Sequence, residues 1–238
     1  MELLSIDWDY FIDADANYKG KYFPDGGNEN LPSMLQDFIW QDRYAQSIIE
    51  GKDIREIKVR KEYYELCDYL RHEKISLYEI AESHKDYYYF LKRLRQTGGL
   101  KFSVTNIDFH HDLRPGNTND KIDCGNWLRR VKEDGLVNGI TWIGCEDSDK
   151  LENEVHVIFT TDLLSRLKYG KYTAVFICRS RVWSPPHLDD KLFKMHDIVN
   201  KRSTIIQKQQ WEARWDRIQA GLDANVRTLK NMIKKCEK

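Results

Sequence analysis

The sequence has no long apolar run, no closely paired cysteines, no excess of either charge and few prolines, and each shortage narrows the reading. No stretch is apolar for long enough to span a bilayer, and residues 1–7 carry neither a basic nor a long apolar leader. No membrane partner is expected, and a cytoplasmic location is. Lys and Arg total 38 against 38 Asp and Glu, which leaves no global basic field for nucleic acid and no acidic tail. Any partner must therefore be read from a site. Cys67, Cys124, Cys145, Cys178 and Cys236 are odd in number and never form a C-x-x-C pair, which fits a reducing compartment and argues against a zinc ribbon. All five are expected to be ordinary thiols. With five prolines and no Pro/Ser-rich linker, one domain is expected over 1–238, helical from about residue 189.

What the chain does have is organised around Asn106-Ile107-Asp108-Phe109-His110-His111-Asp112. This stretch closes an apolar run at 100–105 that follows Gly98-Gly99 and reads as a buried strand. Residues two apart in an extended segment project to one side, so Asp108, His110 and Asp112 can converge on one small volume. Carboxylates with an imidazole suit manganese or a similar divalent ion better than a thiolate site would. A second cluster of the same kind follows the first strand, where Leu3-Leu4-Ser5-Ile6 leads into Asp7-Trp8-Asp9.

Between these clusters, 13–34 is rich in Gly, Asn and Asp and reads as a long loop without regular period, either a lid or an ordinary excursion. A charged helical pattern fills 35–71, a strand is expected at 75–80 and ends near His84, and 86–96 returns to helix. After the centre come a helix at 127–132 stopped by Gly135, strands at 139–144, 154–160 and 172–178, and a helix at 162–168. Strands alternating with helices predict an α/β fold, a three-layer α/β/α sandwich with a mainly parallel sheet. In the terminal stretch, Trp211, Trp215, Ile218, Leu222, Val226, Leu229 and Ile233 recur at steps of three and four. That stripe is expected to pack over the sheet; a homo-oligomer seam is the alternative.

Ligands of a parallel sheet bind outside the carboxyl ends of its strands, so the two acidic clusters should face one crevice. Asp7, Asp9, Asp108 and Asp112 would otherwise repel and take up protons, and two divalent ions balance their charge. Two such ions activate water toward an electrophilic centre.

Asp108-x-His110-x-Asp112 and Ser5-x-Asp7-x-Asp9 resemble the D-x-H-x-D and S-x-D-x-D motifs of the arginase and agmatinase superfamily. The resemblance implies an arginase-like sandwich with two Mn2+ ions. His84, one helix before the central motif, takes the place of the remaining ligand. Asp108 and Asp7 would then bridge the ions, with His84 and Asp112 completing one and His110 and Asp9 the other. Asp112 and His110 would serve catalysis, Asp112 as the acid/base. The chain departs from the superfamily in strand order, since S-x-D-x-D comes first, as though permuted. It also reads Asp112-Leu113-Arg114 where free-arginine enzymes carry D-x-N to hold the amino-acid carboxylate.

In the permuted order, the small size and the Asn126-Trp127 after the central motif, it is most similar to the atypical arginase-like proteins, including the peptide arginases of ribosomal peptide biosynthesis. These convert arginine side chains of a precursor peptide to ornithine, with release of urea. An arginine-containing precursor peptide is thus the expected partner, with Asn126, Glu146, Asp147 and also His111 as candidate substrate contacts. A ureohydrolase of a small guanidino or amidine compound, or a metal-stabilised binding module without activity, are the alternatives. A haloacid-dehalogenase-type phosphatase leaves the central motif unused, and a single-metal deacetylase does not need Asp9 and Asp112 together.

Overall fold

The computed structural model describes residues 1–24, 26–98, 102–114, 121–149, 151, 157–167, 171–204 and 213–236. Among the described residues, six strands form one sheet: β1 (Glu2–Asp7), β2 (Leu77–Ala81), β3 (Phe102–Ile107), β4 (Val137–Ile143), β5 (Val157–Thr160) and β6 (Tyr172–Cys178). Their order is β2-β6-β1-β3-β4-β5, and every pairing is parallel. All carboxyl ends therefore lie along one edge, with β1 between β6 and β3.

The chain divides into two compact units. The first comprises 1–11, 61–180 and 194–209 and holds the whole sheet. On one face, Leu3, Val104, Ile140, Ala174 and Phe176 join α4 (Lys85–Gly98) and α5 (Trp127–Glu133) in a buried cluster with Tyr87, Leu91, Leu128 and Val131. On the other face, Tyr69 of α3 (Lys61–His72) meets Tyr172 edge-on at 6.4 Å, and Tyr78 meets His196 of α7 (Asp189–Arg202) at 5.5 Å. The sheet is thus covered on both sides, as alternation predicts. α5 ends where Gly135 takes a left-handed φ of 58°, so that the Leu136 N–H reaches back to the Val131 carbonyl. α6 (Leu163–Arg166) is a single turn capped by Asp162, whose carboxylate accepts from the Ser165 N–H.

The second unit comprises 12–60, 181–193 and 210–238. It contains α1 (Ala16–Tyr22), α2 (Ser33–Ile49) and α8 (Trp215–Cys236), with residues 189–193 of α7. α1 occupies part of the expected loop, because Asp15 accepts from the Tyr18 N–H at 2.7 Å and the Tyr18 and Tyr22 rings pair at 4.7 Å. Within 35–71 the expected continuous helical pattern is broken, since α2 ends at Gly51 with φ 70° and a short turn over Ile54–Glu56 precedes α3. The apolar stripe of α8 packs on α2, in place of the sheet expected for it. Ile218 and Leu222 are buried, and Tyr44 meets Trp215 at 5.0 Å. Trp211 lies outside the described residues. Arg214 anchors this unit from a fully buried position, bonding both oxygens of Asp189 and the carbonyls of Arg181 and Ser184. No helix among the described residues is long and apolar enough to cross a membrane.

Candidate metal centre

The register of the sheet assembles the site. Leu3, Ser5 and Asp7 alternate onto the face that also carries Val104 and Asn106, with Asp108 following directly, while Asp7 lies beside Cys178 across the β1–β6 ladder. His84 arrives from beyond β2, and Asp9 from the short turn after β1. All six residues singled out as ligands fall within the first unit.

His84 Nδ1 stands 3.0 Å from Asp7 Oδ2, 3.0 Å from Asp108 Oδ2 and 3.2 Å from Asp112 Oδ2. It makes no hydrogen bond, although it is buried among these oxygens. Its other nitrogen, Nε2, lies 2.7 Å from Ser5 Oγ. When Nε2–H donates to Ser5, Nδ1 keeps its lone pair and directs it to the middle of three carboxylates. A buried donor aimed at a cluster of oxygens, with its tautomer held from behind, is what a cation site requires, so the residues fit one. His110 Nδ1 lies 3.0 Å from Asp9 Oδ2, and Asp9, Asp108 and His110 form a second group of ligand atoms within 4.8 Å of one another. Asp108 belongs also to a group with His84 and Asp112, whereas Asp7 groups with His84 and Cys178.

Several neighbours hold the carboxylates in place. The Asp108 oxygens accept from the His110 N–H at 2.9 Å and from Asn106 Nδ2 at 3.1 Å. Asp7 Oδ1 accepts from the Asp9 N–H at 3.2 Å, and Asp7 Oδ2 accepts from the Ser180 hydroxyl at 2.6 Å. Trp127 Nε1 donates to Asp112 Oδ2, while its ring packs 4.6 Å from that of His84. Asp112 and Ser180 are the two non-glycine residues with left-handed φ among the described residues, at 52° and 48°. Backbone strain therefore concentrates at this centre.

The electrostatics follow from burial and crowding. Burial, then Asp9 and Asp108, raise the Asp7 carboxyl from 3.8 to about 7, and burial followed by Asp112 raises Asp108 to about 7. Burial raises Asp112 as well. Burial by itself would lower His84 and His110, but the facing carboxylates override it, holding His84 well above its usual value and His110 at about 9. Asp7, Asp108 and Asp112, with the two imidazoles, thus hold their protons more firmly than free side chains do, and divalent cations bound here would displace those protons.

The candidate substrate contacts are placed differently. Asn126 is buried, and its amide is committed to its own loop, accepting from the Asp123 N–H and donating to the Lys121 carbonyl. Glu146 and Asp147 are exposed in the turn after β4, which Ser148 closes by accepting from the Cys145 N–H. His111 Nδ1 accepts from the Leu113 N–H, and burial lowers its pKa. None of the four belongs to these ligand groups. Cys178, read as an ordinary thiol, lies within 4.8 Å of ligand atoms of Asp7 and His84.

No protein-family model matches the chain, and no curated protein matches it. Among solved structures, a hypothetical agmatinase from Burkholderia thailandensis is similar at 8% identity and a TM-score of 0.38, over 84% of this chain and 85% of that one. Proclavaminate amidino hydrolase from Streptomyces clavuligerus is similar at 9% identity and a TM-score of 0.34, over 83% of this chain and 92% of the other. Likeness at this level assigns the chain to no family.

Proposed function

We propose that this centre binds two divalent ions and hydrolyses the guanidinium group of arginine side chains within a peptide, giving ornithine and urea. The observation that carries the reading is the pair of ligand groups sharing Asp108, each with an imidazole Nδ1 facing buried carboxylates. Asp7, Asp9, His84, Asp108, His110 and Asp112 would hold the ions, and manganese suits so oxygen-rich a set. When bound, the ions supply a water nucleophile at neutral pH and charge stabilisation at the reacting carbon.

The chain's own residues do the rest. Trp127 fixes Asp112 through Oδ2, which leaves Oδ1 to orient the water and to pass its proton to the departing amine. Ser5 and Asn106 hold His84 and Asp108 from behind. The half-buried His110 forms the open rim of the centre. Arg114 stands where free-arginine enzymes place a carboxylate-binding Asn, and that departure from the free-arginine motif supports a substrate other than free arginine. The Arg114 backbone is fixed by its N–H bond to the Gly125 carbonyl.

Urea release and mass spectrometry test this with manganese-loaded protein. Arginine-containing peptides should lose CH2N2 per converted residue, and Asp112→Asn should lose turnover by far more than it loses peptide binding. Efficient hydrolysis of free arginine or agmatine with all peptides unmodified would replace the peptide reading by the small-molecule one. Absence of both activities from a two-ion protein would leave a binding module.

A further inference from the structure

A sulfur atom lies beside the oxygen and nitrogen atoms of this centre. Asp7 and Cys178 are directly paired across adjacent strands and point to the same face of the sheet. The Cys178 sulfur, buried and free of any disulfide, falls within 4.8 Å of ligand atoms of both Asp7 and His84. Ser180 joins the two residues, since its hydroxyl donates to Asp7 Oδ2 while its oxygen lies 3.4 Å from Cys178 Sγ. Independently, His84 Nδ1 is buried and without a hydrogen bond, aimed at the volume that the Asp7 carboxylate borders. Cys67 and Cys145, equally buried, belong to no such group.

We propose that Cys178 is a further ligand of the ion on the His84 side, giving that position a carboxylate, imidazole and thiolate set. This deepens the reading of the centre as a two-ion site and rests on it. The two positions then differ in kind. The His110 side presents only oxygen and nitrogen, whereas a thiolate draws the His84 side toward zinc and comparable borderline ions. Binding there would release the thiol proton to solvent, while the Ser180 hydroxyl keeps its proton and goes on donating to Asp7 Oδ2.

Cobalt(II) reports on the bond directly, because thiolate coordination produces a sulfur-to-cobalt charge-transfer band in the near ultraviolet. The full chain, stripped by chelator and titrated with cobalt, should take up two ions, the band growing with only one of them. Cys178→Ser, close to isosteric, should retain the fold by circular dichroism and lose the band, and Cys145→Ser should keep it. Two bound cobalt ions without the band in the unaltered protein would overturn the thiolate ligand and leave the two-ion reading standing. Persistence of the band in Cys178→Ser would overturn it as well. Failure to bind cobalt at all would remove both.

Discussion

A histidine becomes a directed ligand only when its second nitrogen is committed elsewhere, and for His84 that commitment is the 2.7 Å contact with Ser5. Ser5→Ala should weaken divalent-ion binding by roughly tenfold to a hundredfold, measured by competition against a chelating dye. His72→Ala, exposed at the end of α3, should bind ions as the unaltered protein does. Equal affinities for both variants would show that Ser5 does not position the ring. The two clusters of candidate ligands were legible in the sequence because each closes a strand, but extended backbone does not align them as expected, since Asp9 lies in the turn after β1 and Asp112 has a left-handed φ. Their supports were not legible. Trp127 reaches Asp112 from a helix that begins fifteen residues later, and Ser180 reaches Asp7 across 173 positions. Only the register of the sheet brings them together. Left-handed φ at Ser180 was equally hidden, whereas Asp112 is of a residue type that adopts it more often than most.

At the scale of elements, the strands and the α4 and α5 helices followed from apolar period and turn residues, whereas α1 did not. Its stabilising contacts are a capping aspartate and aromatic pairs, which leave no aliphatic stripe to read. The lid or excursion expected over 13–34 is therefore helical in part. Two glycines test these elements with opposite signs. Gly20 lies inside α1, and a Cβ there meets nothing within 4 Å. Gly20→Ala should raise stability by about 0.5–1 kcal/mol, through helix propensity alone. Gly135 has equal space but a φ of 58°, so Gly135→Ala should cost about 1–2 kcal/mol from the left-handed conformation. Urea denaturation checks both, with ion binding unchanged in each. Two losses of similar size would deny that α1 is helical in solution.

For the whole molecule, zero net charge conceals a local imbalance, since four buried carboxylates stand together against two imidazoles. That imbalance was legible from the motifs alone, and it predicts how stability varies with pH. Without ions, Asp7 and Asp108 are raised from 3.8 to about 7 and His110 from 6.5 to about 9. A group raised in the folded state contributes stability that is complete below its unfolded value and lost as pH climbs through its folded value. The carboxylates thus lose their contribution between about pH 4 and 7, and His110 loses its own between about 6.5 and 9. Glu50, lowered to about 2 by Lys21 and Tyr22, acts in the opposite sense, but only below the range of an ordinary carboxylate. His111 and His187, lowered mainly by burial, also act in the opposite sense up to the ordinary imidazole value of 6.5. Above that pH the raised groups decide the slope, and chelated protein should melt at progressively lower temperature from pH 6.5 to 8.5. Divalent ions bind the deprotonated groups and reverse the cause, so the gap in melting temperature between manganese-loaded and chelated protein should widen over the same interval. Scanning calorimetry of both forms at four or five pH values is sufficient. A gap that stays constant, or a chelated protein that grows more stable toward pH 8.5, would mean that the protons of these raised groups are not displaced by a cation bound among them.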